Sequence, residues 1–478
     1  MTASFSTAFE ESCRAHAGRV ATLDMAGVPV SFENLFYTMM AFAEALQDRG
    51  VRPGDLVAVH VTDAIAGSAL RLALLRIGAT AMGRCAPEGG DGYRPDWHLI
   101  TEGTAATGGR DIAVGRSWIR SPRRWVPVTA GGAMIRSTSG TTGVPKLRRI
   151  TDEGLLARIS RGSDWRGRPE GAVFIGYATP SGPFFNHMGR ALLGGVVQVH
   201  PRDDDAASLA LMEAAGVTAA FLSPWNFRRM VAAAEAGAMR PRSLRRIMVG
   251  GGEVAPELAA RAEALFGAEV VLGYGSSETG SIAHTRPALH PDVPGYVGPV
   301  YDDMAFRLCA EDGSPADPAT GGELWLQVPE PIRLHDFPSG RPLADAEGWV
   351  ATGDLCRMLP DGGLQFLGRR SELLNIGGTK RAPHLFEALA RGFPGVADVA
   401  AFRLPEPGGG DRLGMAVVPG PGFDATALAA HLTGHLGARC PFDLVVRAAI
   451  PVSPAGKTDR RRLSEEHVSQ SPESIAPG

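Results

Sequence analysis

The chain has 478 residues, 44% apolar and 21% charged, with a formal net charge of -3. That length exceeds one ordinary core, so two or more lobes are predicted. The composition is that of a folded globular protein without the basic excess of bulk nucleic-acid binders, so no nucleic-acid partner is predicted.

The start, MTASFSTAFEESCRAH, carries Glu10 and Glu11 where a secretory leader needs a basic and then an apolar run. No stretch reaches the ~18 apolar residues of a membrane span. The five cysteines are scattered and never spaced CxxC, which suits reduced thiols in a cytoplasm. From Ser31, SFENLFYTMMAFAEALQDRG is a capped amphipathic helix, with Gly50 placed to end it. RPGDLVAVHV then predicts a turn and a buried strand, and SALRLALLRIGATAM a helix and a strand. Further on, strands AVFIGYA, VVQVH, VTAAFL, LRRIMVGGG and AEVVLGYG alternate with helices MGRALLGG, AASLALMEAAG, NFRRMVAAAEAG and APELAARAEALFG. Such alternation implies parallel sheets covered on both faces.

After about residue 290 the texture changes. MAFRLCAEDGSPADPATGGELWLQV and DGGLQFLGRR predict short strands joined by Asp-Gly and Gly-Gly turns, an antiparallel or barrel-like piece. The last ~110 residues form their own small α/β pattern, with a boundary near 368–371, and the tail SQSPESIAPG is predicted to be disordered.

Two segments suggest phosphate chemistry. In STSGTTGVPK, residues 137–146, the hydroxyls of Thr138, Ser139, Thr141 and Thr142 interleave with Gly140 and Gly143 and end at Lys146. Glycines admit backbone N–H groups close to an anion, hydroxyls add donors, and the lysine adds charge. The spacing G-x-x-x-x-G-K-[ST] is absent, so an ordinary P-loop is excluded. Gly456-Lys457-Thr458 fails the same test, because Pro451 stands where the earlier glycine is required, and no helix-opening pattern follows it. By itself Lys457 reads as an exposed lysine on a turn. The clusters Arg123-Arg124 and Arg460-Arg461-Arg462 read as solvated surface.

The motifs in order resemble the adenylate-forming (ANL) superfamily of acyl- and aryl-CoA synthetases, stand-alone adenylation enzymes and luciferases. TSGTTGVPK is similar to its phosphate loop, GGGEVAP (250–256) to its adenine-side segment, and GYGSSE (273–278) to its Tyr-Gly-x-Thr-Glu motif with Ser277 in place of Thr. GGELWL (321–326), GWVATGDL (348–355), GRRSELLNIGGTKRAP (368–383) and PVSPAGKTDR (451–460) resemble the later motifs. The resemblance implies an α/β fold: a large N-terminal domain of doubly wound sheets plus a small β-barrel piece (1–368), a small mobile α/β C-terminal domain (369–470) and a tail (471–478). It implies that Thr138–Lys146 hold the β- and γ-phosphates, that Tyr274 and Gly275 with the Gly252-Glu253 backbone border adenine, and that Ser277 lies beside Glu278, the ligand of Mg²⁺. Asp354 would accept the ribose hydroxyls with Arg369 nearby. Lys457 would reach the α-phosphate and the attacking carboxylate. Ser371 stands at the pivot, where Asp or Lys is usual, and Gly378 and Lys380 belong to the segment that enters the site for the thiol step.

The implied reaction is ATP-dependent formation of acyl-AMP and pyrophosphate from a carboxylic acid, then transfer to a thiol, CoA being favoured. Alternatives are an enzyme that loads a carrier protein, one that uses a non-thiol acceptor, and a lapsed nucleotide-binding module. A homodimer is left open. ATPSGPFFNHMG (178–189) lacks the Phe-Asp pair of amino-acid-activating relatives and places Asn186, not His187, at the family's gating His. The acid pocket would be lined by Phe184, Phe185, Asn186, His187, Trp225, Asn226 and Gly251, favouring a small, aryl or functionalised acid. Arg229 falls where diacid-activating relatives keep an arginine, although an outward helix arginine is the plainer reading. His431 and His435 share a helical spacing, but the zincin glutamate is missing.

Overall fold

The computed structural model describes residues 3–24, 26–84, 92–138, 146–161, 171–179, 181–376, 378–406, 410–437, 440–452 and 458–470. The chain divides into two compact units, one of residues 1–138, 145–306 and 325–352, the other of 139–144, 307–324 and 353–478.

The first unit holds two sheets. In the larger, the strands Gly280–Thr285, Glu269–Ser276, Arg246–Gly250, Val217–Leu222, Ala172–Gly176, Gln198–Val199, Val20–Leu23 and Pro29–Ser31 lie in that order. The second runs His335–Asp336, Lys146–Thr151, Ala133–Thr138, Thr80–Met82, Leu56–Val59, Trp97–Thr101, Asp111–Val114. The inner strands of the larger sheet pair in parallel. Their apolar runs follow from burial on both faces. Val173, Ile175, Phe221, Met248 and Val271 enter one core, shared with Val57, Leu99 and Met134 of the second sheet. Their sequence neighbours Phe174, Ala220, Leu222, Ile247, Val249, Val270 and Leu272 enter a second core, which the helices Asp205–Ala214, Pro224–Glu235 and Pro256–Phe266 share through Leu209, Phe227 and Ala262.

Local signals end the elements where chemistry requires. Ser31 caps the helix Phe32–Asp48 by accepting from the Asn34 N–H at 3.1 Å. Two departures from the sequence reading matter. The helix predicted from Met188 starts at Gly182, because Ser181 caps it and Pro183 occupies the first turn. A helix Phe5–Ala15, capped by Ser4, precedes the first strand and buries Phe5 and Phe9.

A five-stranded sheet orders Tyr296–Gly298, Leu364–Arg369, Trp349–Met358, Gly322–Gln327 and Phe306–Cys309, with Trp349–Met358 and Leu364–Arg369 antiparallel. A three-stranded sheet, Val396–Pro405, Asp411–Pro419 and Phe442–Val446, is accompanied by the helices Pro383–Arg391, Ala425–Leu436 and Arg460–Gln470. The last overturns the expectation that no helix opens after Thr458. Arg460 is not merely solvated surface: its guanidinium reaches Glu387 Oε1 at 2.6 Å and the Ala401 carbonyl at 3.0 Å, and Leu463 is fully buried. The tail 471–478 lies outside the described residues. No helix among the described residues is long and apolar enough to cross a membrane.

Two predictions follow from packing in the first unit. A Cβ at Gly132 would stand 2.3 Å from the Leu75 carbonyl oxygen, so Gly132→Ala should displace the approach to the strand Ala133–Thr138. It should cost about 1–3 kcal/mol, measured by denaturant unfolding of the intact chain. His200, packed on Phe184 at 5.5 Å, is pushed by burial down to about 4. The unfolded state binds a proton near the ordinary value of 6.5 and the folded state does not, so this contribution to stability falls as pH drops from 6.5 to 4. Relative to the parent, His200→Phe should therefore gain stability progressively across that window in pH-dependent unfolding.

Candidate active site

The parallel strands of the large sheet end side by side. Gly176 pairs with Leu222, Leu222 with Val249, and Gly250 with Gly273. At or just beyond these ends come Tyr177, Trp225 and Asn226, Gly251 to Glu253, and Tyr274 to Glu278. The carboxyl ends of strands in an open parallel sheet are where such folds bind ligands.

The turn carrying Ser277 and Glu278 is tightly held. The strand Glu269–Ser276 pairs back on Gly280–Thr285, with Tyr274, half-buried, opposite Ala283 and a register shift at Gly275. A Cβ at Gly275 would lie 2.4 Å from the Gly280 carbonyl oxygen, so glycine is required there. Ser276 Oγ accepts from the Thr279 N–H at 3.1 Å. From the helix Asp152–Ser160, buried Arg158 donates to the carbonyls of Ser277 (2.7 Å), Glu278 (2.5 Å) and Ile332 (2.9 Å). Burial, then the neighbouring Arg136, holds the Arg158 guanidinium down to about 9, with Glu278 opposing. Arg148 lies 3.9 Å from Glu278 Oε1 and also pairs with Asp336.

The hairpin Ala133–Thr138 and Lys146–Thr151 sets Thr138 opposite Lys146. Ser139, Gly140, Thr141, Thr142 and Gly143 lie outside the described residues, as does Lys457, although Val452 bridges Thr458.

On the helix Gly182–Gly194, Phe184 and Phe185 are each 1% exposed and belong to the core. Asn186 Oδ1 accepts from Arg136 Nη2 at 3.1 Å. His187 stacks on Phe221 at 4.1 Å and on Tyr177 at 5.7 Å, and the Tyr177 hydroxyl donates to the Gly250 carbonyl at 3.4 Å. Asn226 Nδ2 donates to the Gly176 carbonyl at 2.5 Å. Gly251, at φ +96°, and the exposed Gly252 and Glu253 follow that row. Trp225 is exposed, and Arg229 lies over its ring at 4.3 Å while binding Asp205 at 2.8 Å. Arg229 is thus an outward helix arginine with both partners on the surface.

Within the second unit, Asp354 faces Arg369 across two strands, and Arg369 Nε meets its carboxylate at 2.9 Å. Asp354 is 1% exposed. Ser371 is exposed in a short 3-10 turn. Gly378, at φ +81°, lies in the turn between Leu374–Ile376 and Thr379–Arg381, and Lys380 Nζ pairs with Glu311 at 2.6 Å. His431 Nε2 meets the Leu389 carbonyl at 3.1 Å, and no three His, Cys, Asp or Glu side chains among the described residues group as a metal site.

Residues 125–333 match the family model described as AMP-binding enzyme. A salicylyl-CoA synthase/salicylate adenylyltransferase from Streptomyces is 31% identical over 357 residues, covering 72% of this chain and 64% of that protein. A 2-hydroxy-7-methoxy-5-methyl-1-naphthoate–CoA ligase from Streptomyces carzinostaticus is 30% identical over 351 residues, covering 69% and 62%. The chain belongs to the adenylate-forming superfamily. It spans somewhat under two thirds of the length of these two relatives. ATP-bound MatB from Rhodopseudomonas palustris superposes with a TM-score of 0.82 over 97% of this chain and 99% of that one at 20% identity, which establishes the shared fold.

Sequence reasoning missed Arg136, Arg158 and Tyr177. All three are anchored by contacts distant in sequence, and none stands inside a motif; Arg136, two residues before Thr138, and Tyr177, just before the segment 178–189, lay beside one. Removing Arg158 should expose its role: Arg158→Met leaves three carbonyls without their donor and should cost at least about 2 kcal/mol. Faster hydrogen exchange at the 276–280 turn should accompany that loss.

Proposed function

We propose that this adenylate-forming chain activates a carboxylic acid with ATP, releasing pyrophosphate, and passes the acyl group to CoA. The observation that carries this is the row of strand ends that aligns Tyr177, Asn226, Gly251 to Glu253 and Tyr274 to Glu278. Such a row offers a flat slot for a base, beside a carboxylate whose backbone Arg158 holds. In this reading Tyr274 and Gly275 border adenine with Gly252 and Glu253, Ser277 supports the turn, and Asp354 with Arg369 receives the ribose hydroxyls. Thr138 to Lys146 hold the distal phosphates.

The acid's carboxylate oxygen attacks the α-phosphorus, and the bond to pyrophosphate breaks. Both reactants are anions, so the reaction needs fixed cations in a site with little water. Lys457 is assigned that task. Mg²⁺, which takes one or two carboxylates and completes its shell with phosphate oxygens and water, would offset charge on the phosphates. Glu278, a single half-exposed carboxylate, fits that donor set. A pivot at Ser371 then brings Gly378 and Lys380 to the adenylate for the thiol step, with 1–368 and 369–470 moving as domains. His187, Asn186, Asn226 and Trp225 border the acid, and the names of the two relatives support an aryl acid. A cytoplasmic setting suits this chemistry.

Lys457→Ala should lower acid-dependent pyrophosphate release by about 10²–10³-fold while ATP binding stays within a few-fold. Normal release by that variant would remove Lys457 from the mechanism. The parent run with and without CoA separates acceptors: stimulation by CoA supports the ligase, and insensitivity to it redirects the reading to carrier-protein loading.

A further inference from the structure

Arg136 is a cation in the wrong surroundings for a structural residue. It is 6% exposed, and among the described residues its guanidinium donates to a neutral amide, Asn186 Oδ1. Among the described residues its Nε has no acceptor. Among the described residues, the carboxylates beside its neighbours Arg148 and Arg158 are already engaged: Asp336 binds Arg148, and Glu278 stands between Arg148 and Arg158. A second buried guanidinium, Arg158, adds repulsion. Burial lowers Arg136 only to about 10, so it remains charged at neutral pH. A buried cation without a counter-charge costs several kcal/mol.

The neighbouring helix puts no side chain against one nitrogen of this guanidinium. The helix that carries Asn186 begins at Gly182, and a Cβ there would stand 3.6 Å from Arg136 Nη1. Any side chain at 182 would therefore cover this nitrogen. The positive end of the same helix dipole adds to the field.

We propose, on the acid-activation reading above, that Arg136 and Asn186 receive a second carboxylate on the acid, so that the enzyme selects dicarboxylic acids over monoacids. The reacting carboxylate is the weaker candidate for this partner. Its oxygen forms the bond to phosphorus and loses its charge as pyrophosphate leaves, which would strip Arg136 of its partner midway. A second carboxylate keeps the pair intact through both half-reactions. The planar fork of arginine also matches carboxylate geometry. Arg229, the residue that sequence position suggested for this role, is occupied by Asp205 and Trp225.

The test measures pyrophosphate release over matched pairs: benzoate with phthalate, isophthalate and terephthalate, and butyrate with succinate and glutarate. In the parent, kcat/KM for the best diacid should exceed that of its matched monoacid at least tenfold. Arg136→Met should reduce that ratio by on the order of 10²-fold, with monoacid turnover unchanged within a few-fold, and Arg136→Lys should recover part of it. The Tm of ligand-free Arg136→Met should equal or exceed that of the parent, because a buried unpaired charge has been removed. Three outcomes overturn the inference: monoacids preferred in every pair, equal losses for both members of a pair in Arg136→Met, or a lower Tm with the ratio unchanged. Activation of monoacids alone sinks only this inference, whereas pyrophosphate release with no acid of either kind sinks the activation reading as well.

Discussion

A parallel sheet buried on both faces can present chemistry only at the ends of its strands. In this chain each inner strand of the large sheet sends alternate residues into two cores, as Val173 and Ile175 do on one side and Phe174 on the other. No face of those strands is left for a ligand. The chain must therefore place its functional groups in the segments that leave the strands, and adjacent register brings those segments into one row. The shape of the candidate site is a consequence of how the core is covered.

Those segments are irregular, so something must hold them. Backbone carbonyls at a turn need donors, and Arg158 supplies three from a neighbouring helix. The cost of burying that guanidinium is offset because each of its three nitrogens donates to a carbonyl oxygen. Aromatic stacking of Tyr177, His187 and Phe221 does the same for the other end of the row without using charge. Arg136 stands apart. It shares the burial of Arg158 without sharing its partners, and this contrast between two arginines within one electrostatic reach marks it as a group that awaits something from outside.

The helix–strand alternation was legible because parallel strands and amphipathic helices each impose a period on the apolar residues. Helix starts were less so: Gly182 opens its helix because Ser181 caps it, a signal masked by the proline and the aromatic run that follow. The helix after Thr458 was missed because three arginines resemble solvent-facing surface until Glu387 and the Ala401 carbonyl are placed beside Arg460. Phe184 and Phe185 show a different limit. Their motif position suggested a pocket wall, but a helix that starts six residues earlier than expected turns both rings into the core.

The linear order of residues by itself determined the fold class, the family and the motif segments, because these rest on local periodicity and on short runs whose chemistry is self-contained. Tertiary structure alone decided which charges are neutralised. Arg229, Arg158 and Arg136 are the same residue type in similar helical or strand contexts. Whether each meets Asp205, a set of carbonyls or only the amide of Asn186 depends on elements brought together from elsewhere in the chain. Electrostatic partnership acts through space, and no spacing along the chain encodes it.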